Sequence, residues 1–438
     1  MRAALAVLAV GTFLQAEQPK LPEPYRSLVD LAQTTPPEFT ADALLRIAES
    51  GKIDDRDAVR DLVEQAFRLA GSAAFRVRMR ALPGTTTDTR SGILNQAYDL
   101  KLDALSLESR AVRDILAIDK AKARDLLREI SPPTLAPLTC DDALVYDVAD
   151  FYRTIGMVAN AAFSEKERAR EENVNLILDY LGQASSPAQL APLARLVRNA
   201  NVTPPQRELL WSRFNGLLEN IPGDERSYSA SLSSMSAESG PEMEVSLEKY
   251  KRSGSTCKGD ASSATTTTAS TPKLERFWQT PKSKKLLEDG LKLRLASDGR
   301  LFTDVERSTR EWQEQLTGYL SELADWTAGE EPSATVYYHQ KCLVFEALIE
   351  LIPAGPQRDK ALLDYVNFVG NPDLQRQSPV EWFIEAHSVL ERVRHAEDAT
   401  LGKLGDAYQH SGNTVLTLEI ALEKSLGARP PAMTAAEN

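Results

Sequence analysis

Apolar residues recur at intervals of three and four along most of this chain, and alternating apolar–polar runs are scarce. That spacing lays an apolar stripe down one side of a helix. In AVRDILAIDKAKARDLLREI (111–130), Val112, Ile115 and Leu116 make one stripe, and Ala123, Leu126, Leu127 and Ile130 make a second. Asp119 stands between them, with a side chain suited to cap the second helix. Neither helix hides its stripe alone, and the connector is very short, so the pair is expected to meet in a hairpin or a sharp corner. The same helix–connector–helix layout recurs at 41–70, 176–199 and 343–368.

Helix starts are the most regular feature. Thr35-Pro36-Pro37-Glu38, Ser164-Glu165-Lys166-Glu167, Ser186-Pro187-Ala188-Gln189, Thr203-Pro204-Pro205-Gln206, Thr303-Asp304-Val305-Glu306 and Ser378-Pro379-Val380-Glu381 each place Ser or Thr three residues ahead of Glu or Gln. The hydroxyl accepts from the N3 amide while the N3 side chain reaches back to the cap amide. Four of the six put proline at the first helical position, where its missing N–H costs nothing. Thr280-Pro281 opens a further helix in the same style. Asn201-Val202-Thr203 also matches the glycosylation acceptor pattern. A capping role for Thr203, and Pro204 directly after it, argue against modification of Asn201.

One stretch departs from the helical period. FRVRMRAL (75–82) alternates apolar residues with arginine, as a strand does. On a helix Phe75, Met79 and Leu82 share a face as well, and the reading favoured is a helix followed by the PGTTTDT loop. Asp141-Asp142 is expected to cap a helix over DALVYDVADFYRTIGMV. The sum is an all-α fold: an irregular paired-helix array, either α-solenoid-like or a multi-helix bundle. No fixed repeat period emerges.

The N-terminal MRAALAVLAVGTFLQAEQPK has Arg2, an apolar run over 3–14 and the small Ala16, the layout of a secretory signal peptide over 1–16. The run is short for a transmembrane helix, which takes about 20 apolar residues. The expectation is export to the periplasm or the extracellular space, with no transmembrane span after cleavage. Residues 224–275 are rich in Ser, Thr and Gly and poor in large apolar groups. Such composition buries too little surface to offset chain ordering. They are therefore expected to form a flexible linker between an N-terminal helical region (22–222) and a C-terminal one (276–425), with a frayed tail over 426–438.

Composition narrows the function classes. With 438 residues, 42% of them hydrophobic, the chain has ample material for a core without metal or disulfide support. A formal net charge of -12 argues against a nucleic-acid partner, which calls for a basic face, and against docking on anionic lipid. The three cysteines are Cys140, Cys257 and Cys342. Cys342 sits in CLVFEALIELI and reads as a buried core thiol. Cys140 and Cys257 lie in polar connectors and are the possible disulfide in an exported protein.

Candidate chemistry is sparse. His387, Glu391 and His395 share one helix face at zinc-ligand spacing, but that face lies opposite the stripe of Trp382, Phe383, Ala386, Val389, Leu390 and Val393 and reads as solvent-facing. His339 and Cys342 read as a surface histidine beside a core cysteine rather than a nucleophile pair. Arg76, Arg78 and Arg80 read as a solvated or salt-bridged face. Trp312, Tyr319 and Trp326 recur at seven-residue spacing and read as a packing seam rather than a carbohydrate platform. There is no Gly-rich phosphate loop, GxSxG elbow or HExxH motif. Glu49-Ser50-Gly51 echoes the Glu-Ser motif of lytic transglycosylases, but no Gly-Leu-Met-Gln run follows it. No catalytic residue, metal ligand or cofactor is assigned on these grounds.

The segments RALPGTTTDTRSG, LDALSLESRAVRDILAIDKAKARDLLREI and SPVEWFIEA resemble stretches of uncharacterised exported proteins of soil acidobacteria. The resemblance implies a helical, exported protein and carries over no site residue. The leading expectation is a binding or scaffolding protein of the cell envelope with a protein or glycan partner. The alternatives are a glycan-acting hydrolase or lyase on a helical scaffold, and a structural envelope protein with no small-molecule site.

Overall fold

The computed structural model describes residues 21–81, 90–138, 142, 144–221, 277–370, 372–394, 406, 410 and 412–427. These form an all-α structure with helices on both sides of residues 222–276, and almost no strand. The expected linker, the leader, the tail, Cys140 and Cys257 lie outside or largely outside the described residues.

The N-terminal region begins with α1 (Tyr25–Ala32), α2 (Pro37–Glu49) and α3 (Arg56–Ala70). Next come α4 (Arg90–Asp99), α5 (Ala104–Leu116), α6 (Lys120–Glu129) and α7 (Ala149–Ala161). The region closes with α8 (Glu165–Ala169), α9 (Glu172–Gly182), α10 (Leu190–Asn199) and α11 (Pro204–Asn220). Most sequential helices pack on each other, as the short connectors require. All seven residues of the two stripes in 111–130 are buried. Asp119 caps α6, accepting from the Ala121 and Lys122 amides at 3.0 Å each.

Most predicted starts are present. Ser164 accepts from the Glu167 amide at 3.4 Å while Glu167 accepts from the Ser164 amide at 2.8 Å. The reach-back limb also forms at Ser186–Gln189 (2.9 Å), Thr203–Gln206 (3.0 Å) and Thr303–Glu306 (2.8 Å). Two starts differ. Pro36, not Thr35, occupies the cap of α2, and the Thr35 hydroxyl instead donates to the Ala32 carbonyl at 2.7 Å. Glu381 does not return to Ser378; it lies buried, 3.6 Å from Arg90 in the other region.

The favoured helix over 75–82 is corrected to a strand. β1 (Met79–Ala81) pairs antiparallel with β2 (Leu144–Tyr146), in the register Met79–Tyr146, Arg80–Val145 and Ala81–Leu144. Phe75 and Met79 pack on Leu94 and Tyr98 of α4 and on Leu144 of β2. The same pairing corrects the expected start at Asp141-Asp142. Residues 144–146 are extended, and α7 begins only at Ala149, whose amide donates to Asp147 at 3.1 Å.

The C-terminal region comprises α12 (Pro281–Arg294), α13 (Asp304–Arg307), α14 (Arg310–Asp325), α15 (Ala334–Leu351), α16 (Pro356–Val369), α17 (Pro372–Gln377), α18 (Pro379–Arg394) and α19 (Thr414–Leu426). Trp312, Tyr319 and Trp326 are all buried in its core, as a packing seam requires. Both indoles donate inward: Trp312 to the Leu293 carbonyl at 3.0 Å and Trp326 to Glu331 at 3.3 Å.

The two regions share their cores. Phe39, Ile93, Ala97 and Leu102 belong to the core built mainly by α12–α18. Phe39 meets Phe383 edge to face, with ring centroids 4.8 Å apart. In the other direction α19 crosses back onto α1 and α2. Its Val415 and Leu416 enter the C-terminal core, and its Leu418 and Leu422 enter the N-terminal core. One helix thus buries apolar side chains on two fronts.

Candidate functional site

Apolar stripes drive α2, α5 and α7 together, and the polar residues caught in the seam must then pair. They do so as a ladder of alternating charge. Arg110 on α5 grips Glu49 at the end of α2 with two nitrogens, at 2.6 and 2.5 Å, and reaches Asp42 with a third at 2.8 Å. This uses the planar fork that arginine offers a carboxylate. Burial opposes the Arg110 charge, but the Glu49 hydrogen bonds and the Asp42 field outweigh it and raise its pKa.

Asp114 lies one turn further along α5, close to Glu49. Burial, with the nearby Glu49 charge, pushes its pKa up to about 8, against 3.8 ordinarily. Arg113 turns the other way and donates to the Thr154 hydroxyl on α7 at 2.7 Å. Burial lowers its pKa despite the field of Asp150.

Asp150 takes Lys101 at 3.1 Å and Arg153 at 2.8 Å. Burial works against its charge, and the surrounding cations reverse the balance, so its pKa falls. Arg78 pairs with Asp147 beside the small sheet, and Arg76 pairs with Glu108 at 3.2 Å. Asp103 is fully enclosed as the cap of α5; burial raises it to about 6 even though it accepts from the Ser106 amide at 3.0 Å. The ladder surfaces at Glu49, Arg76 and Arg153, whose side chains are 38%, 45% and 44% exposed.

A second polar group lies inside the C-terminal region. His339 is fully buried and pairs through Nδ1 with Glu385 at 2.6 Å, correcting its expected surface position. Cys342 is a buried free thiol, as expected, and burial raises its pKa. Between them in sequence, Lys341 runs into an aromatic box. Its Nζ donates to the Trp326 carbonyl at 3.1 Å and to the Tyr337 hydroxyl at 2.9 Å. It also lies 5.2 Å from the ring centroids of Tyr337 and Phe368. Burial lowers its pKa to about 8.

The remaining candidates separate. His387 is half-buried with its ring 5.5 Å from that of Phe383, so its expected solvent-facing position is corrected. The Glu391 side chain and His395 lie outside the described residues, as does the Cys140–Cys257 pair. Among the described residues no group of three or more His, Cys, Asp or Glu is placed to hold a metal ion. Arg76 and Arg78 are salt-bridged rather than open to an anion.

Sequence reasoning did not single out Asp114, Arg110 or Lys341. Each is a charged residue in an ordinary helical pattern, and only the neighbour brought by the fold gives it a special environment. Comparison of the chain with protein-family models, with curated proteins and with solved structures gives no match.

Proposed function

We propose that this chain is an exported binding or scaffolding protein of the cell envelope, whose charged ladder is its recognition face. The observation that carries the reading is the set of half-exposed charges Glu49, Arg76 and Arg153, each held by a buried or half-buried partner. Charges fixed in advance lose little side-chain freedom on binding, and mixed signs favour one complementary partner over another. The shared cores and the crossing helix α19 hold that face on one frame. The apolar leader supports export. No described helix is long and apolar enough to cross a membrane.

The glycan-cleaving alternative needs two carboxyls about 5–9.5 Å apart across a substrate. The ladder carboxylates Glu49, Asp42 and Asp150 are instead taken up by Arg110, Lys101 and Arg153. That favours binding over hydrolysis at this face.

The test is retention of envelope components on the immobilised chain, beside a Glu49→Lys/Arg153→Glu variant. Both charges are reversed at side chains that are 38% and 44% exposed, and far-UV circular dichroism checks that the variant is folded. The proposal expects saturable retention of one component by the wild type and its loss from the variant. Equal retention by both would refute the assignment of the face.

A further inference from the structure

A groove of about 380 Å³ opens between the end of α6 and the outer side of α9. That is within the size range of small-ligand sites, about 300–1,000 Å³. Asn175 and Asp179 on α9, and Gln183 at its C-cap, stand along one side of it at four-residue spacing. Successive members are about 6 Å apart along the helix axis, close to the length of one hexose unit. All three are exposed, and none makes a side-chain hydrogen bond or ion pair among the described residues. Arg128 faces them from α6, and Glu172 closes the row.

The floor is apolar and fixed. Ile130, Leu176 and Tyr180 are buried beneath the row. The Tyr180 hydroxyl is spent on the Leu127 carbonyl at 3.0 Å, and its ring is held edge to face by Phe151. Tyr180 therefore supplies a rigid ring edge rather than a donor.

We infer that this groove is a binding site for a neutral saccharide. Three features select that class. Planar amide and carboxylate groups in a row offer both donors and acceptors, which is what vicinal hydroxyls pair with. The unpaired groups are satisfied by water, and a polyol replaces that water bond for bond, whereas an apolar ligand would strand them. Glu172 pairs with Arg170 and Arg128 with Asp125, which leaves the Asp179 carboxylate to disfavour an anion such as phosphate. The buried floor suits the C–H face of a sugar ring. The groove lies apart from the charged ladder, so this site and the recognition face stand or fall separately.

The test titrates the full chain in solution with neutral tetrasaccharides of glucose, mannose and N-acetylglucosamine, using calorimetry and ligand-observed NMR. The probes are compared with inorganic phosphate and tetralysine. At least one tetrasaccharide is expected to bind with a Kd near or below about 1 mM. Asn175→Ala/Asp179→Ala is expected to weaken it at least roughly tenfold with Tm unchanged, since both side chains are exposed. The inference is overturned if no tetrasaccharide binds more tightly than about 10 mM. It is also overturned if the double variant binds as the wild type does, or if phosphate or tetralysine takes the site in preference.

Discussion

Arg46 and Glu419 are 373 residues apart in sequence and 2.9 Å apart in space, with both side chains almost wholly buried. Arg46 sits on α2 and Glu419 on α19, the last described helix. The pair sits where α19 leaves one core for the other. Lys52 reinforces it by donating to the Ser425 carbonyl at 2.6 Å. Glu419→Ala strands the Arg46 guanidinium, whose other carboxylate, Asp42, is 3.9 Å away. Removing one member of a buried pair costs about 3–5 kcal/mol. The expected outcome is a large fall in the denaturant midpoint for Glu419→Ala, and a much smaller one for Arg46→Met/Glu419→Leu. A double-mutant cycle measures the difference.

The aromatic contact between Phe39 and Phe383 makes the second link between the regions. Phe39→Ala empties a fully buried site and is expected to cost about 3–5 kcal/mol. The loss falls at the junction of the two regions, so urea unfolding followed by the tryptophans of the C-terminal region should separate from unfolding followed by far-UV circular dichroism. Coincident transitions in this variant would mean that the cores remain coupled without Phe39.

Lys341 predicts a rise of stability with pH. Its folded pKa of about 8 lies below the ordinary 10.5, so between these values the unfolded chain binds more protons than the folded one. Stability then increases as pH rises through that window, by on the order of 2 kcal/mol. Lys341→Met removes the titrating group and should flatten this limb. Thermal unfolding at a series of pH values reads it directly.

Asp114 predicts the opposite slope in a lower window. Its folded pKa of about 8 lies above the ordinary 3.8, so the folded chain binds the extra proton between them. The stabilisation is complete below the unfolded value and is lost as pH rises through about 8. Asp114→Asn leaves the position neutral at every pH. It should raise Tm at pH 8 relative to the wild type and change it little near pH 4.

Helices and their starts were legible in the sequence because both are local. The Ser164 and Thr303 boxes need only four consecutive residues, and the stripes of 111–130 need only the 3.6-residue period. The strand at 79–81 was not legible, since its partner lies some 65 residues away and each strand has only three residues. Buried charge misled the reading in the same way. His339 looks like a surface residue until Glu385 arrives from α18. The double role of α19 is equally hidden, because Val415, Leu416, Leu418 and Leu422 read as one apolar run and serve two cores. The row Asn175–Asp179–Gln183 is visible as a helix face, but not the groove that α6 makes of it.

The binding account is tested most directly by recovering the envelope component that the immobilised chain retains and measuring its mass before and after prolonged contact. The account predicts saturable retention, competition by free chain and a ligand of unchanged mass. Release of fragments would contradict it, and the absence of any saturable retention would contradict it outright.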